Sequence, residues 1–152
     1  MFILEAGEFM NEKEKQYPVS AWIIIKDRKG KTLQEIHFEP NSWATMIDLP
    51  CKKFVIRDFN FDGLIDFALL WDTGGNAGEL YEYYFQDKNG IFTPAETFPL
   101  QHGMLAENIN IPAKTISVQN SIGCCHYNLT TYKLKSNESW KVSSEQRQLK
   151  KK

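Results

Sequence analysis

Between residues 58 and 66 the chain reads Asp58-Phe-Asn60-Phe-Asp62-Gly63-Leu64-Ile-Asp66. Oxygen-bearing side chains at alternate positions, with a glycine in the middle, match the opening of an EF-hand-type calcium loop. The spacing lets one tight turn wrap a hard cation. The candidate metal ligands are Asp58, Asn60, Asp62 and Asp66, joined by the backbone carbonyl of Leu64. Gly63 stands where the chain must bend sharply, often through positive φ, which glycine adopts without a Cβ clash. The residue that would normally be a bidentate Glu is Leu69, so the loop is EF-hand-like and not a full EF-hand. A metal-free turn rich in Asp, Asn and Gly would use the same residue types. The spacing favours Ca2+ as cofactor, in a structural role. The cation would neutralise three carboxylates that otherwise repel one another within one turn. Single loops with few charged ligands bind on the order of 10⁻⁴–10⁻³ M, an affinity suited to compartments outside the cytosol.

Acid–base or nucleophilic chemistry has less support. The histidines are His37, His102 and His126, and none stands at a recognised catalytic spacing from a carboxylate. Ser121 lies in Gln-Asn-Ser-Ile-Gly, which is not a Gly-x-Ser-x-Gly elbow. Cys125 and His126 are strand neighbours and point to opposite faces, whereas Cys124 and His126 share one. No complete catalytic set emerges. The expectation is a protein that is not an enzyme.

The elements around these residues read as strands. Val19 to Lys26 and Thr32 to Phe38 form a hairpin across Asp27-Arg-Lys-Gly30. Phe54 to Arg57 leads into the Asp58 loop, and the apolar run Phe67-Ala-Leu-Leu-Trp71 leaves it as a buried strand. Phe59 and Phe61 alternate with the candidate ligands and point to the core. A tyrosine-rich strand, Glu79 to Gln86, turns at Asp87-Lys-Asn-Gly90 into Ile91-Phe-Thr93. A short helix near Leu100 to Glu107 has weak support. Thr115 to Gln119, His126 to Leu134 and Trp140 to Gln148 are the last strands. The pattern predicts an all-β fold, an antiparallel β-sandwich or open barrel of roughly eight strands with a calcium-loop corner. Residues 1–17 read as a flexible lead-in, 18–149 as a single β domain and 150–152 as a tail.

The balance of 18 basic and 19 acidic residues gives no global field for nucleic acid. No apolar run approaches the roughly 20 residues of a membrane span. The N-terminus does not read as a signal peptide, because a basic start is missing and its apolar run stops at Glu5, so the expectation is either a cytoplasmic protein or, in preference, one whose leader has been removed. Cys51, Cys124 and Cys125 allow at most one intrachain disulfide, from Cys51 to either neighbour, or three free thiols.

The order of these pieces is specific. Val55-Ile-Arg-Asp-Phe-Asn-Phe-Asp-Gly-Leu-Ile-Asp66, then Leu80-Tyr-Glu-Tyr-Tyr-Phe-Gln-Asp-Lys-Asn-Gly-Ile-Phe92, then Ser121-Ile-Gly-Cys-Cys-His-Tyr127 resembles bacterial envelope proteins related to the periplasmic inhibitors of invertebrate-type lysozyme. Similar calcium loops recur in integrin-like propellers and dockerins, whereas here the loop occurs once. The resemblance implies a calcium-binding β-sandwich, periplasmic or extracellular, whose partner is a lysozyme-like glycoside hydrolase. In that family a small-residue loop with Ser, Gly and Tyr enters the hydrolase cleft. Ser121, Gly123 and Tyr127 match it here, and His126 stands beside them. The competing reading is a carbohydrate or cell-surface binding module with a structural calcium, using Trp43 or Trp140 as a sugar platform.

Overall fold

The computed structural model describes residues 1–12, 15–42, 53–73, 78–122 and 126–148. Trp43, the three cysteines, Gly123 and the 150–152 tail fall outside the described residues. Thirteen strands are present among those described: β1 (Phe2–Ala6), β2 (Phe9–Glu12), β3 (Lys15–Pro18), β4 (Ala21–Lys26), β5 (Thr32–Phe38), β6 (Phe54–Arg57), β7 (Asp66–Asp72), β8 (Leu80–Gln86), β9 (Phe92–Pro94), β10 (Asn108–Asn110), β11 (Thr115–Ile122), β12 (His126–Leu134) and β13 (Trp140–Gln148). They form a β2-β3 hairpin and three larger antiparallel sheets, ordered β1-β4-β5, β6-β7-β8-β9 and β10-β11-β12-β13. The predicted all-β sandwich is present, open and with a third layer.

The central sheet explains the unbroken apolar run after the calcium-like loop. Residues 66–70 are all buried, because both faces of β7 are covered. Phe67 and Leu69 pack with Ile23, Ile25 and Phe38 of the first sheet. Ala68 and Leu70, one residue out of phase, pack with Ile116 and Val118 of the third sheet. Two-residue periodicity therefore sends alternate side chains into two separate cores. Aromatic rings fill the first of these. Phe67 stacks on Tyr84 at 4.7 Å, and Phe2 sits 5.3 Å from Phe54 and 5.5 Å from Phe67.

That placement of Phe2 corrects the expected lead-in. Residues 2–6 pair with β4 from Phe2↔Ile25 to Ala6↔Ala21. Apolar residues at Phe2 and Leu4 pack against the first core, so the segment is a strand of the sheet. Residues 9–12 and 15–18 pair as the β2-β3 hairpin. The weakly signalled helix at 100–107 is also replaced. Turns run from Pro99 to His102, then irregular chain follows. Tyr83 fixes this stretch from below: its hydroxyl donates to the Met104 carbonyl at 2.7 Å and accepts the Ala106 N–H at 2.9 Å. Burial holds the Tyr83 pKa well above the usual phenol range.

Candidate functional site

The Asp58 loop is shaped by its own side chains. Asp58 accepts from the Phe61 N–H at 2.6 Å with one oxygen and from the Gly63 N–H at 2.9 Å with the other. Asn60 Oδ1 accepts from the Asp62 N–H at 3.0 Å, and Asp62 Oδ1 from the Leu64 N–H at 2.8 Å. Each short polar side chain thus closes a local turn, the habit that places Asp and Asn in loops. Gly63 has φ of 85° and Phe61 of 63°, so both occupy the left-handed region. Glycine enters it freely, whereas a phenylalanine there costs roughly 1–2 kcal/mol. Phe61 is held by Asp58 at its N–H and by burial of its ring, which lies 6.2 Å from that of Trp140. Phe59 is fully buried and meets Tyr83 edge-on at 5.1 Å. Both aromatics point inward as their alternation with the polar residues predicts.

Asp66 is placed differently from the other candidate ligands. Its side chain is fully buried. One oxygen accepts from the Phe59 N–H at 2.9 Å and the other from the Gln86 N–H at 3.0 Å. It thereby ties the loop to the end of β8. Burial pushes its pKa up to about 6, against the pull of the two N–H donors, with Asp62 and Asp58 adding repulsion. Among the described residues no group of three or more His, Cys, Asp and Glu side chains stands together as a metal-binding set. The donors that fit a hard cation are Asp58, Asn60 and Asp62, gathered by one turn, with Leu64 next in the chain. Asp62 and Leu64 also border a shallow hollow with Gln86, Asp87 and Lys88.

The second candidate region is the end of the β11-β12 hairpin. β11 is buried at Ile116 and Val118 and then exposed from Gln119 to Ile122. β13 is exposed from Lys141 to Arg147. The far half of this sheet therefore overhangs the body as a three-stranded arm. Ser121 pairs with Tyr127, and Tyr127 pairs with Arg147 on β13. Directly paired residues of neighbouring strands share a face. Ser121, Tyr127 and Arg147 therefore form one row across the arm. His126 pairs with Ile122 and lies on the other face. The structure brings Ser121 and Tyr127 together and sets His126 apart from them.

Two polar clusters escape the sequence reading, because each joins residues far apart in the chain. In one, His102 stacks on Trp71 at 4.1 Å and approaches Glu82 at 3.7 Å. Burial raises the Glu82 pKa, opposed by the Tyr84 hydroxyl and His102. In the other, Lys53 pairs with Glu79 at 2.6 Å and the Tyr81 hydroxyl donates to Glu79 at 2.9 Å, at the edge of a cleft of about 380 Å³ floored by Val55 and Val118. The sugar-platform candidate Trp140 is half-buried, with its ring 5.4 Å from Phe98. The most exposed tryptophan among those described is Trp22, paired with His37 at 4.7 Å.

No protein-family model matches the chain, and no curated protein matches it. A solved structure described as "Structure of a Xanthomonas Type IV Secretion System related protein" is similar, with a TM-score of 0.56. The match covers 97% of this chain and 88% of that one at 16% identity. The likeness shows a shared fold. At this identity the residues of the loop and of the arm must be argued from their own geometry. No helix among the described residues is long and apolar enough to cross a membrane.

Proposed function

We propose that this protein is a non-catalytic, calcium-binding protein of the periplasm or extracellular space that binds and inhibits a lysozyme-like glycoside hydrolase. The observation that carries this reading is the overhanging β11-β12 hairpin, with Ser121 and Tyr127 on one face of an arm that projects past the core. A hydrolase cleft of this type holds two carboxyl groups, one protonated and one ionised. The Ser121 hydroxyl can donate to the ionised group, and Tyr127 offers the large amphipathic surface that anchors interfaces. Arg147, paired with Glu145 of its own strand, extends the row with further guanidinium N–H donors that suit a carboxylate. The similar structure's description as a secretion-system related protein accords with an exported protein.

Calcium would be held by Asp58, Asn60, Asp62 and the Leu64 carbonyl. The ion would supply charge neutralisation at the corner between β6 and β7. Asp66 keeps that corner closed from the inside through Phe59 and Gln86.

A second reading, a carbohydrate or cell-surface binding module with the same calcium, is favoured by Trp22. It is 41% exposed on the outer face of the first sheet, beside His37. One assay separates the two. The protein is mixed with a panel of lysozymes and muramidases, and cell-wall lysis is followed. Block of lysis near a one-to-one ratio, lost in Tyr127→Ala, is the expected result. Retention on peptidoglycan without any block, abolished by Trp22→Ala, would replace the inhibitor with the binding module.

A further inference from the structure

The last strand of the chain is a long open sheet edge. β13 spans nine residues, Trp140–Gln148, and pairs with β12 on one side only. The other edges among the described residues are shorter. β10 and β9 have three residues each, β6 four, β1 five and β5 seven. β9 also ends on Pro94, which offers no N–H to a neighbour. Proteins usually blunt such edges with brevity, proline, bulges or charged side chains such as lysine, and of these devices β13 carries only the charges. β13 contains no proline, and its register with β12 runs unbroken from Trp140 to Gln148. Residues 141–147 are all exposed, and Val142 is 53% exposed on the core-side face.

The charges along this edge are unbalanced in a particular way. Lys141 lies directly opposite Lys133 of β12. Like charges directly opposite each other destabilise a sheet. Neither lysine has an ion-pair partner among the described residues. Two residues beyond Ser143 on the same face is Glu145, whose β12 partner is the apolar Leu129 and whose ion-pair contact is Arg147 of its own strand.

We propose that β13 docks antiparallel onto β13 of a second copy of this chain, joining the two third sheets across a two-fold axis at Ser143. In that register Ser143 faces its equivalent, and each Lys141 faces the second copy's Glu145. Two cross-strand ion pairs form, each relieving one Lys133–Lys141 repulsion. On the core-side face Val142 meets the second copy's Ser144 and loses part of its exposure. The contact is isologous, so it closes as a dimer and does not propagate into fibres. Backbone hydrogen bonds supply the attraction, and the lysine–glutamate pairing sets the register. The alternative antiparallel register centred on Ser144 sets Lys141 against the second copy's Arg147 and is disfavoured by charge. In the favoured dimer the two β11-β12 arms point in opposite directions, so each copy presents its own Ser121 and Tyr127.

The test uses the whole chain in light scattering coupled to size exclusion, at low salt and over a range of concentrations. The wild type runs as a dimer at the upper end of that range. Lys141→Glu and Glu145→Lys each place like charges at both pairs and weaken the dimer roughly ten-fold or more. Lys141→Glu also turns the repulsion from Lys133 into an attraction, so its monomer stays folded by circular dichroism. An equimolar mixture of the two single variants restores a heterodimer, because at both pairs an acidic side chain of one variant then faces a lysine of the other. The variant carrying both changes dimerises with itself. A wild type that is monomeric throughout overturns the proposal. So does a dimer that ignores both single changes, or a mixture that stays monomeric. None of these outcomes depends on whether a hydrolase is bound.

Discussion

The Asp58 loop and the β11-β12 arm are both candidate sites, and they are held in opposite ways. In the loop nearly every polar side chain is committed to a backbone N–H, and Asp66 carries two of these bonds while fully buried. In the arm Ser121 is exposed and Tyr127 half-buried, and strand pairing with a side-chain bond from Arg147 to Tyr127 fixes where they stand. A site that folds the chain has little freedom to be altered. A site that only recognises a partner can vary without touching the fold. The contrast teaches that the loop should be read first by stability and the arm first by binding.

The sharpest way to break this contrast is Asp66→Ala. The buried N–H of Phe59 and the half-buried N–H of Gln86 would lose their acceptor, and the cost is about 3–5 kcal/mol in urea unfolding. A loss below about 1 kcal/mol would mean that the carboxylate does not anchor the corner. In the arm, Tyr127→Ala should change unfolding by less than about 1 kcal/mol yet weaken hydrolase inhibition by roughly 30-fold or more. Parallel losses of stability and inhibition would erase the difference between the regions.

Calcium gives a smaller effect, confined to the loop. At about 10 mM calcium and a dissociation constant on the order of 10⁻³ M, linkage adds about 1.4 kcal/mol. That corresponds to a rise of about 3 °C in Tm, which Asp62→Ala should abolish. Identical melting curves with calcium and with chelator would remove the metal from the loop and leave a turn closed by its own carboxylates.

The foot of the arm offers a further, weaker test. Three hairpins use one turn geometry, in which a residue donates to and accepts from the far side of the turn: Asp27 with Lys31 and Gly30, Asp87 with Ile91 and Gly90, Lys135 with Ser139 and Glu138. The left-handed position is Gly30 at φ 83°, Gly90 at φ 83° and Glu138 at φ 60°. Glu138→Gly should therefore stabilise by up to about 1 kcal/mol, with no effect on inhibition or calcium.

Glu82→Gln asks whether burial or backbone anchoring makes Asp66 important. Glu82 has a raised pKa from burial, as Asp66 does, but the groups that oppose the rise are the side chains of Tyr84 and His102. A carboxyl raised above its unfolded value contributes stability that is full below the unfolded pKa and is lost as pH rises through the folded one. Glu82→Gln removes the charge that becomes costly on ionisation and keeps an acceptor for Tyr84. Its Tm should rise slightly relative to wild type at pH 8 and match it at pH 4. The reverse trend would show that the His102 ion pair outweighs burial.

Local chemistry was legible in the sequence because it acts within a few residues. The turns at Asp27 and Asp87, the polar closure of the Asp58 loop, the inward Phe59 and Phe61 and the strand from His126 to Leu134 all follow from nearest-neighbour geometry. The run Phe67 to Trp71 reads as a buried strand for the same reason. Residues 2–6 escape such reading because their polar surroundings hide a strand whose partner, β4, lies across the β2-β3 hairpin. Similarly, the spacing of Asp66 from Asp58 suits a ligand, but whether its carboxylate faces the loop's mouth or the core depends on Gln86, which no local pattern announces.

Two-residue periodicity and Asp, Asn and Gly chemistry are local, so the all-β character, the main turns and the alternating oxygen side chains of the Asp58 loop can be read from the chain itself. The tertiary structure alone decided that the strands stack in three layers with β7 buried on both faces. It alone fixed the register that sets Ser121 opposite Tyr127 and left β13 open at its edge. Those outcomes depend on which distant faces and edges meet, and burial and strand register are set only when they do.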